Sequence, residues 1–206
     1  DPSPRMTATT ATTVPIYFGS KVMVYFGTGR YLEAGDLTND EVQTFYGVVD
    51  SSSPATVSRN DLLLQTIDSS TVTAGSRLGR TVSNISPTAF ETSHNGSAPK
   101  GCYLNLPATP GKNPPIPSER ITSAPFIKFF RTLEPRLILV TSTPSSDPCE
   151  GGGTSWLMQL SLNCGELTER SFDTNNDQQV NDGDVAVSGV KLQTMVGISD
   201  TLTWIK

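Results

Sequence analysis

The sequence has 206 residues and a formal net charge of −5 at pH 7, which suits one acidic domain or a piece of a larger protein. An acidic surface repels phosphate, and no lysine- or arginine-rich run interrupts it, so we expect no nucleic acid partner. No apolar stretch approaches the roughly 20 residues of a membrane-spanning helix, so we expect no membrane insertion by this segment. Only 17% of residues are charged, and Ser, Thr, Gly and Pro supply the polarity, which favours strands and turns over helices.

The N-terminal third predicts a flexible tail followed by strands. Small polar residues over 1–13 are typical of a tail, and residues 14–206 form the predicted domain. A capping-box spacing at Thr38–Glu41 predicts a short helical turn that begins there. Short β-branched and aromatic runs bounded by glycine or polar residues predict strands at VPIYFGS (14–20), KVMVYFGTG (21–29), TFYGVVD (44–50) and DLLLQTI (61–67).

The rest of the chain predicts a long insertion and then further strands. Residues 68–100 are rich in Ser, Thr, Asn and Gly and indicate an insertion or long loop with at most a hairpin. Strands are then expected at GCYLNLP (101–107), ITSAPFIKFF (121–130), RLILVTSTP (136–144), SWLMQLSL (155–162), GVKLQTMVG (189–197) and TLTWIK (201–206). Four strands in about sixty residues are the size of one propeller blade or one small meander. The fold class is therefore all-β, built from four-stranded antiparallel units, and the pattern alone does not separate a propeller from a sandwich.

The segment DTNNDQQVNDGD (173–184) has the oxygen spacing of a calcium-binding loop. Calcium takes six to eight oxygen ligands, and a coiled loop of twelve residues can turn alternate side chains toward one ion. The ligand positions 1, 3, 5, 7, 9 and 12 are occupied by Asp173, Asn175, Asp177, Gln179, Asn181 and Asp184. The sequence therefore predicts a Ca²⁺ site, whereas an acidic turn-rich loop that binds nothing is the alternative.

The residues at positions 6, 8 and 12 of this loop predict details of its conformation. Position 6 is Gln178 where glycine is usual, so a side chain must adopt a left-handed backbone conformation at a cost of about 1–2 kcal/mol. Position 12 is Asp184, which is shorter than the usual Glu. Val180, at position 8, is expected to turn into the protein core. The flanking segments lack the period of a helix pair, so this loop is expected between strands and not in an EF-hand.

Several motifs together resemble the C-terminal region of PilY proteins, the type IV pilus assembly and tip-adhesin proteins of Gram-negative bacteria. The motifs are VYFGTGRYLEAGDLTNDEVQTFYGVVD (24–50), GCYLNLP, ERITSAPFI, TSTPSSDPCEGGGTSWLMQL (141–160) and FDTNNDQQVNDGD (172–184). The resemblance implies a modified or partial β-propeller at the cell surface, the pilus tip or the outer membrane, with minor pilins or other pilus components and a host or mineral surface as partners. It also implies that a calcium-occupied loop controls pilus extension and retraction, twitching and adhesion. In the family pattern Asp stands at Asn181 and Gly at Gln178.

The three cysteines leave the pairing open between one disulfide and three reduced thiols. Cys149 and Cys164 flank a predicted strand whose ends lie roughly 26 Å apart, which disfavours their pairing. Alternating strands bring the start of GCYLNLP to the same end as NCGEL. Cys102 and Cys164 also both depart from the pattern of the resembled family, and we therefore expect these two to pair.

Two other functions remain as alternatives to a non-enzymatic pilus module. One is an extracellular carbohydrate- or surface-binding β domain in which calcium is purely structural. The other is part of a quinone-dependent propeller enzyme, although a single histidine (His94) and the lack of a convincing carboxylate pair argue against hydrolytic chemistry.

Overall fold

The computed structural model describes residues 8–18, 21–50, 56–68, 70–74, 77–113, 115–145 and 153–192. The strands are β1 (Ala8–Phe18), β2 (Lys21–Thr28), β3 (Thr44–Asp50), β4 (Leu63–Gln65), β5 (Val72–Ala74), β6 (Arg77–Arg80), β7 (Gly101–Asn105), β8 (Phe126–Lys128), β9 (Arg136–Thr143), β10 (Thr154–Leu160) and β11 (Gly189–Lys191). One α-helix, α1 (Pro87–Ser93), and short 3₁₀ helices at Ala34–Thr38 and Arg59–Asp61 complete the elements. The all-β class predicted from the sequence is confirmed.

The described strands form two open sheets. The first has five strands in the order β1-β2-β3-β7-β4, and the second has six in the order β5-β6-β11-β10-β9-β8. All pairings are antiparallel except that between β4 and β7. The predicted four-stranded antiparallel units are therefore not the units of these sheets. The reason lies in the proline-rich segment 106–125, which carries the chain from β7 in the first sheet to β8 in the second.

Residues from both sheets pack into one apolar core. Alternate residues of β2 are buried, and β9 is buried along nearly its whole length. The Tyr25 hydroxyl donates a hydrogen bond of 2.6 Å to the carbonyl of Leu162, which joins β2 to the turn after β10. The central members of the core are Met23, Tyr25, Phe45, Leu104, Ile121, Leu137, Leu139, Trp156, Met158 and Leu160.

A disulfide joins Cys102 and Cys164, the pair expected from the sequence. Their Cα atoms lie 5.9 Å apart and the link spans 62 residues. Both cysteines are buried within the main core. The bond therefore ties β7 to the turn that leads from β10 toward the acidic loop, whereas Cys149 lies outside the described residues.

Two element boundaries near the N-terminus differ from the sequence-based prediction. β1 begins at Ala8, inside the tail predicted over 1–13, because its threonine-rich backbone pairs with β2 from Ala8 opposite Thr28 onward. The 3₁₀ helix Ala34–Thr38 ends at the residue where we predicted a helix to begin. Its capping box is formed by Glu33 and Asp36.

The predicted insertion at 68–100 contains ordered elements. Its described residues hold the β5–β6 hairpin and α1, whose first turn is capped by the Ser86 side chain. β11 occupies the first part of the strand predicted at 189–197, whereas the strand predicted at 201–206 lies outside the described residues. Within the residues that the structure describes, no helix combines the length and apolarity needed to span a bilayer.

Candidate metal centre

The acidic loop 173–184 lies between β10 and β11 and is held by apolar residues at its two ends. Phe172 and Val187 are buried at 8% and 5% exposure in a small core cluster that also contains Ala74 and Val190. Within the loop, most side chains are exposed. Because the anchors lie just outside the loop, the loop itself projects from the core. This corrects the expectation for Val180, which is 47% exposed and does not enter the core.

The loop backbone coils through two residues in the left-handed region. Asn176 has φ 61° and Gln178 has φ 69°. Asn tolerates this conformation through its short polar side chain, whereas Gln does so at a cost of about 1–2 kcal/mol. Position 6 therefore makes the sharp turn expected from the loop spacing, with a side chain where glycine is usual.

Side-chain oxygens at positions 1, 3 and 5 turn inward, because they accept hydrogen bonds from the N–H groups of the loop. Asp173 accepts from the N–H groups of Asp177 at 3.2 Å and Gln178 at 2.9 Å. The Asn175 amide oxygen accepts from Asp177 N–H at 2.9 Å. The Asp177 carboxylate accepts from Gln179 N–H at 2.8 Å. The sequence pattern of alternate oxygens thus becomes a set of oxygens on the inner side of the coil.

Positions 3, 5 and 9 converge on one point. The amide groups of Asn175 and Asn181 donate to the same oxygen of Asp177, at 3.0 and 3.3 Å. Gly183 lies against this meeting point, since a Cβ there would come within 3.0 Å of the Asn181 amide oxygen. The oxygens of the same two amides accept from N–H groups of the loop, that of Asn175 from Asp177 and that of Asn181 from Gly183 at 2.7 Å, so a cation at this point would have to reorient both amides. This oxygen-rich donor set is of the kind that calcium takes.

Not every predicted ligand takes part in this convergence. The side chain of Gln179 is exposed, and its N–H, as described above, points to Asp177. Among the described residues, no group of three or more His, Cys, Asp or Glu side chains is close enough to hold a metal by itself. Amide and carbonyl oxygens would therefore have to complete any coordination sphere. The ligand set itself remains a prediction.

Asp184, at position 12, closes the loop. It is only 5% exposed. One of its oxygens accepts from Thr174 N–H at 2.6 Å, from the Thr174 hydroxyl at 3.0 Å and from Asn175 N–H at 3.2 Å, and the other accepts from Asn181 N–H at 2.9 Å. The Asn181 N–H, followed by those of Thr174 and Asn175, lowers the pKa of Asp184 against the opposing effect of burial. Its carboxylate thus joins the first residues of the loop to the last, which is the geometry of a latch.

Arg170 is a loop partner that the sequence did not identify. Its guanidinium donates to the carbonyl of Asp184 at 2.8 Å and to the carboxylate of Asp182 at 2.7 Å. It therefore holds the C-terminal half of the loop from outside. The sequence did contain one indication of this role: Arg170 lies three residues before Asp173, next to a segment with four acidic residues.

The fold and this loop define the chain as an all-β domain that carries a coiled, oxygen-rich acidic loop between two strands. Comparisons with known proteins show that its sequence is similar to those of type IV pilus biogenesis factors. "Type IV pilus biogenesis factor PilY1" of Pseudomonas aeruginosa strain PAO1 is 26% identical over an alignment of 197 residues, which covers 86% of this chain and 16% of that protein. The PilY1 protein of strain UCBPP-PA14 is 29% identical over 163 residues, and a PilY1 homolog of Xylella fastidiosa is 29% identical over 142 residues.

These relatives confirm the resemblance predicted from the sequence motifs: the chain is homologous to PilY1 proteins. The matches cover 71% and 67% of this chain for the last two proteins, and 13% and 8% of those proteins. The chain thus spans less than one fifth of the length of the relatives it matches. No family profile and no solved structure matches it. The relatives' names describe biogenesis factors and not enzymes.

Proposed function

We propose that the chain is a calcium-binding, non-enzymatic module from the C-terminal region of a type IV pilus biogenesis and adhesion protein. Calcium occupancy of loop 173–184 controls pilus extension against retraction, and with it twitching and surface attachment. The module acts at the cell surface, at the pilus tip or on the outer membrane. Its partners are minor pilins or other pilus components, and a host or mineral surface. Homology to PilY1 proteins supports the pilus assignment.

The observation that carries the calcium proposal is the convergence of Asn175, Asp177 and Asn181 within a coil whose first residue is Asp173. These four side chains, with oxygen from Gln179 and Asp184, would hold the ion. Bound calcium would neutralise the carboxylates of Asp173 and Asp177, which otherwise repel each other, and would cross-link the two halves of the loop. The turn after β10 and strand β11 flank this loop, so a rigid loop would stiffen the surface between them.

We further propose that the two sheets are part of a modified propeller in the longer protein, as the resemblance implies. Support comes from the all-antiparallel second sheet, in which β8, β9 and β10 follow one another as they do in a blade. Determination of the structure of the longer protein would test this architecture. Sheets that stay five- and six-stranded and packed on each other there would contradict it.

Calorimetric titration with calcium tests the metal site directly. Asp173→Ala and Asp177→Ala should each weaken calcium binding by a factor of at least about 100, because each removes a charged oxygen ligand from a small ion-binding loop. Asp182→Asn is the matched control: it also removes one negative charge from the loop, but at position 10, which is not a ligand position. It should weaken binding only about two- to threefold, through the loss of long-range attraction and of the exposed ion pair with Arg170.

Two outcomes would contradict the calcium proposal. The first is that the unchanged chain binds no calcium at millimolar concentration, and the second is that Asp182→Asn weakens binding as strongly as Asp177→Ala. The second result would mean that the loop attracts cations diffusely and does not coordinate one.

The pilus role needs a separate test in cells that carry the full-length protein. Asp177→Ala should change the number of surface pili and the twitching distance, whereas Asp182→Asn should leave both near the unsubstituted level. If Asp177→Ala abolished calcium binding and lowered thermal stability but left pili and twitching unchanged, calcium would be purely structural. The domain would then fit the alternative of a surface-binding β module.

A further inference from the structure

A cavity of about 570 Å³ lies beside the acidic loop and shares residues with it. Its volume falls in the range of pockets that bind small molecules or side chains. Apolar walls come from Leu133, Leu167, Val180 and Val187, and the charged residues Glu166 and Arg136 also line it. Val180 therefore presents its side chain to this cavity, which explains how an apolar residue is placed in an exposed loop.

Glu166 supplies this cavity with a carboxylate that pairs with no cation among the residues that the structure describes. Its side chain is half-buried, and among the described residues no hydrogen bond or ion pair reaches its carboxylate. Its backbone is fixed, since Glu166 N–H donates to the carbonyl of Ser83 at 3.1 Å. Burial raises the pKa of Glu166, as expected for a carboxyl group that has lost water without gaining a partner. A cation placed beside it would relieve this cost.

The two arginines that line the cavity are already engaged. As described above, Arg170 binds Asp182 and the carbonyl of Asp184. Arg136 donates through Nη1 to the side chain of Gln159 at 3.1 Å, and its guanidinium lies 4.7 Å from the centre of the Phe130 ring, whereas its Nε is buried and has no hydrogen-bond partner among the described residues. A carboxylate ligand would therefore have to compete for the Arg170 guanidinium and for Nη1 of Arg136, and could not reach the buried Nε, whereas no described residue competes with a cationic ligand for Glu166.

The charge balance around the cavity is also acidic. Its lining contains three carboxylates, Glu166, Glu169 and Asp182, against the two arginines, and the neighbouring loop adds three more acidic residues. The apolar walls suit the methylene chain of a long basic side chain, which packs against apolar surface while its charged end remains polar. Shape and charge thus point to the same class of ligand.

We propose that this cavity receives a lysine or arginine side chain of a partner polypeptide, with its stem against Leu167, Val180 and Val187 and its charged end at Glu166. This interaction surface includes Asn181, a ligand position of the acidic loop, but its charged contact at Glu166 lies outside the loop. It does not depend on calcium binding, so the two proposals can fail separately.

The test uses the 206-residue chain in buffer with EDTA, titrated with the probe peptide acetyl-Ala-Lys-Ala-amide and followed by NMR of the backbone amides. The lysine peptide should shift the amide signals of Glu166, Leu167 and Val187 with a dissociation constant in the millimolar range, as expected for one side chain in a cleft. A peptide with norleucine in place of lysine should bind more weakly, because it keeps the apolar stem and lacks the charge. A glutamate peptide should produce no shifts in this region.

Matched variants test whether the Glu166 carboxylate is the group that binds the charged end of the lysine peptide. Glu166→Gln keeps the shape and should lower the affinity for the lysine peptide about fivefold, the upper range for a partly exposed ion pair. Glu41→Gln removes the same charge from an exposed position outside the cavity and should leave the affinity unchanged. Leu133→Lys should abolish binding by placing a cation at the wall.

Several results would overturn the proposal. Tighter binding of the glutamate peptide would assign the cavity to anionic partners through Arg136. Equal binding of the norleucine and lysine peptides would make it an apolar pocket. Equal effects of Glu166→Gln and Glu41→Gln would reduce the attraction to net charge. The calcium titration of the same protein reports independently on loop 173–184.

Discussion

Two irregular segments of this domain are each organised by one buried charged side chain, but the two charges have opposite signs. Arg120 is 1% exposed and donates hydrogen bonds to the carbonyls of Arg30, Asp36, Asn39 and Ser118, at 2.7 to 3.2 Å. In loop 173–184, Asp184 has the opposite role: its carboxylate accepts hydrogen bonds from N–H and O–H groups. The first segment is therefore built around a cation of the protein itself, and the second around an anion.

This difference explains why only the second segment is a candidate metal site. In the Arg120 segment, backbone oxygens are consumed by the guanidinium, which occupies the place that a bound cation would take. In the acidic loop, Asp184 uses N–H groups and so leaves the oxygens of Asp173, Asn175 and Asp177 on the inner side of the coil. A resident arginine uses up the oxygens of its segment, whereas a loop ordered by a carboxylate through N–H groups keeps other side-chain oxygens that a cation could use.

The largest effect is expected from the removal of the resident cation. Arg120→Met should lower the free energy of unfolding by about 3 kcal/mol or more, because three loop carbonyls and that of Ser118 lose their donors in a buried site. Chemical denaturation monitored by tryptophan fluorescence measures this change. Arg30→Met is the control, since Arg30 is partly exposed and its ion pair with Asp36 should contribute less than about 1 kcal/mol. Equal effects of the two substitutions would refute the central role of Arg120.

A smaller and more local effect is expected from the loss of the anionic latch. Asp184→Ala in EDTA should cost about 2 kcal/mol, because the N–H groups of Thr174, Asn175 and Asn181 lose an acceptor. The loss should be visible as faster hydrogen exchange at these three amides, with little change in the strands. Asp182→Ala, which removes the more exposed neighbouring carboxylate, is the control and should leave these amides protected.

This experiment also separates the two roles that Asp184 could have. If Asp184→Ala left the three amides protected in EDTA but abolished calcium binding, Asp184 would be a metal ligand and not a latch. If it exposed the amides without calcium and weakened calcium binding as a consequence, the latch would be primary.

The fold was predictable where burial and backbone preference agree. Val22–Tyr25 in β2 and Leu137–Val140 in β9 are β-branched, aromatic or continuously apolar, and each lies in a strand as expected. The start of β1 was predicted too late in the chain, because a run of Ala and Thr fits a tail as well as a strand unless the partner strand is known. The membership of β7 in the first sheet depends on how segment 106–125 crosses the core, and no local signal encodes that path.

The candidate site was predictable to the extent that its spacing is local. The side-chain oxygens of Asp173, Asn175 and Asp177 lie on one side of the coil because a tight loop brings residues at this spacing close together. The hydrogen bonds by which Arg170 and Asp184 hold the two ends of the loop together were not predictable, since they form only when the loop closes in three dimensions. Val180 was misplaced for the same reason: an apolar residue in a polar loop indicates burial, but here it lines an open cavity.

The smallest expected effect concerns the backbone strain within the loop. Gln178→Gly should strengthen calcium binding about fivefold, because glycine adopts the left-handed conformation at φ 69° without the penalty of about 1 kcal/mol that a side chain adds. Gln179→Gly is the control: Gln179 is not among the left-handed residues, and glycine keeps the backbone carbonyl that position 7 contributes, so the substitution adds flexibility and should weaken binding slightly. Calorimetric titration of both variants measures the difference. An equal change in both would mean that the chain entropy of the loop, and not strain at position 6, limits calcium affinity.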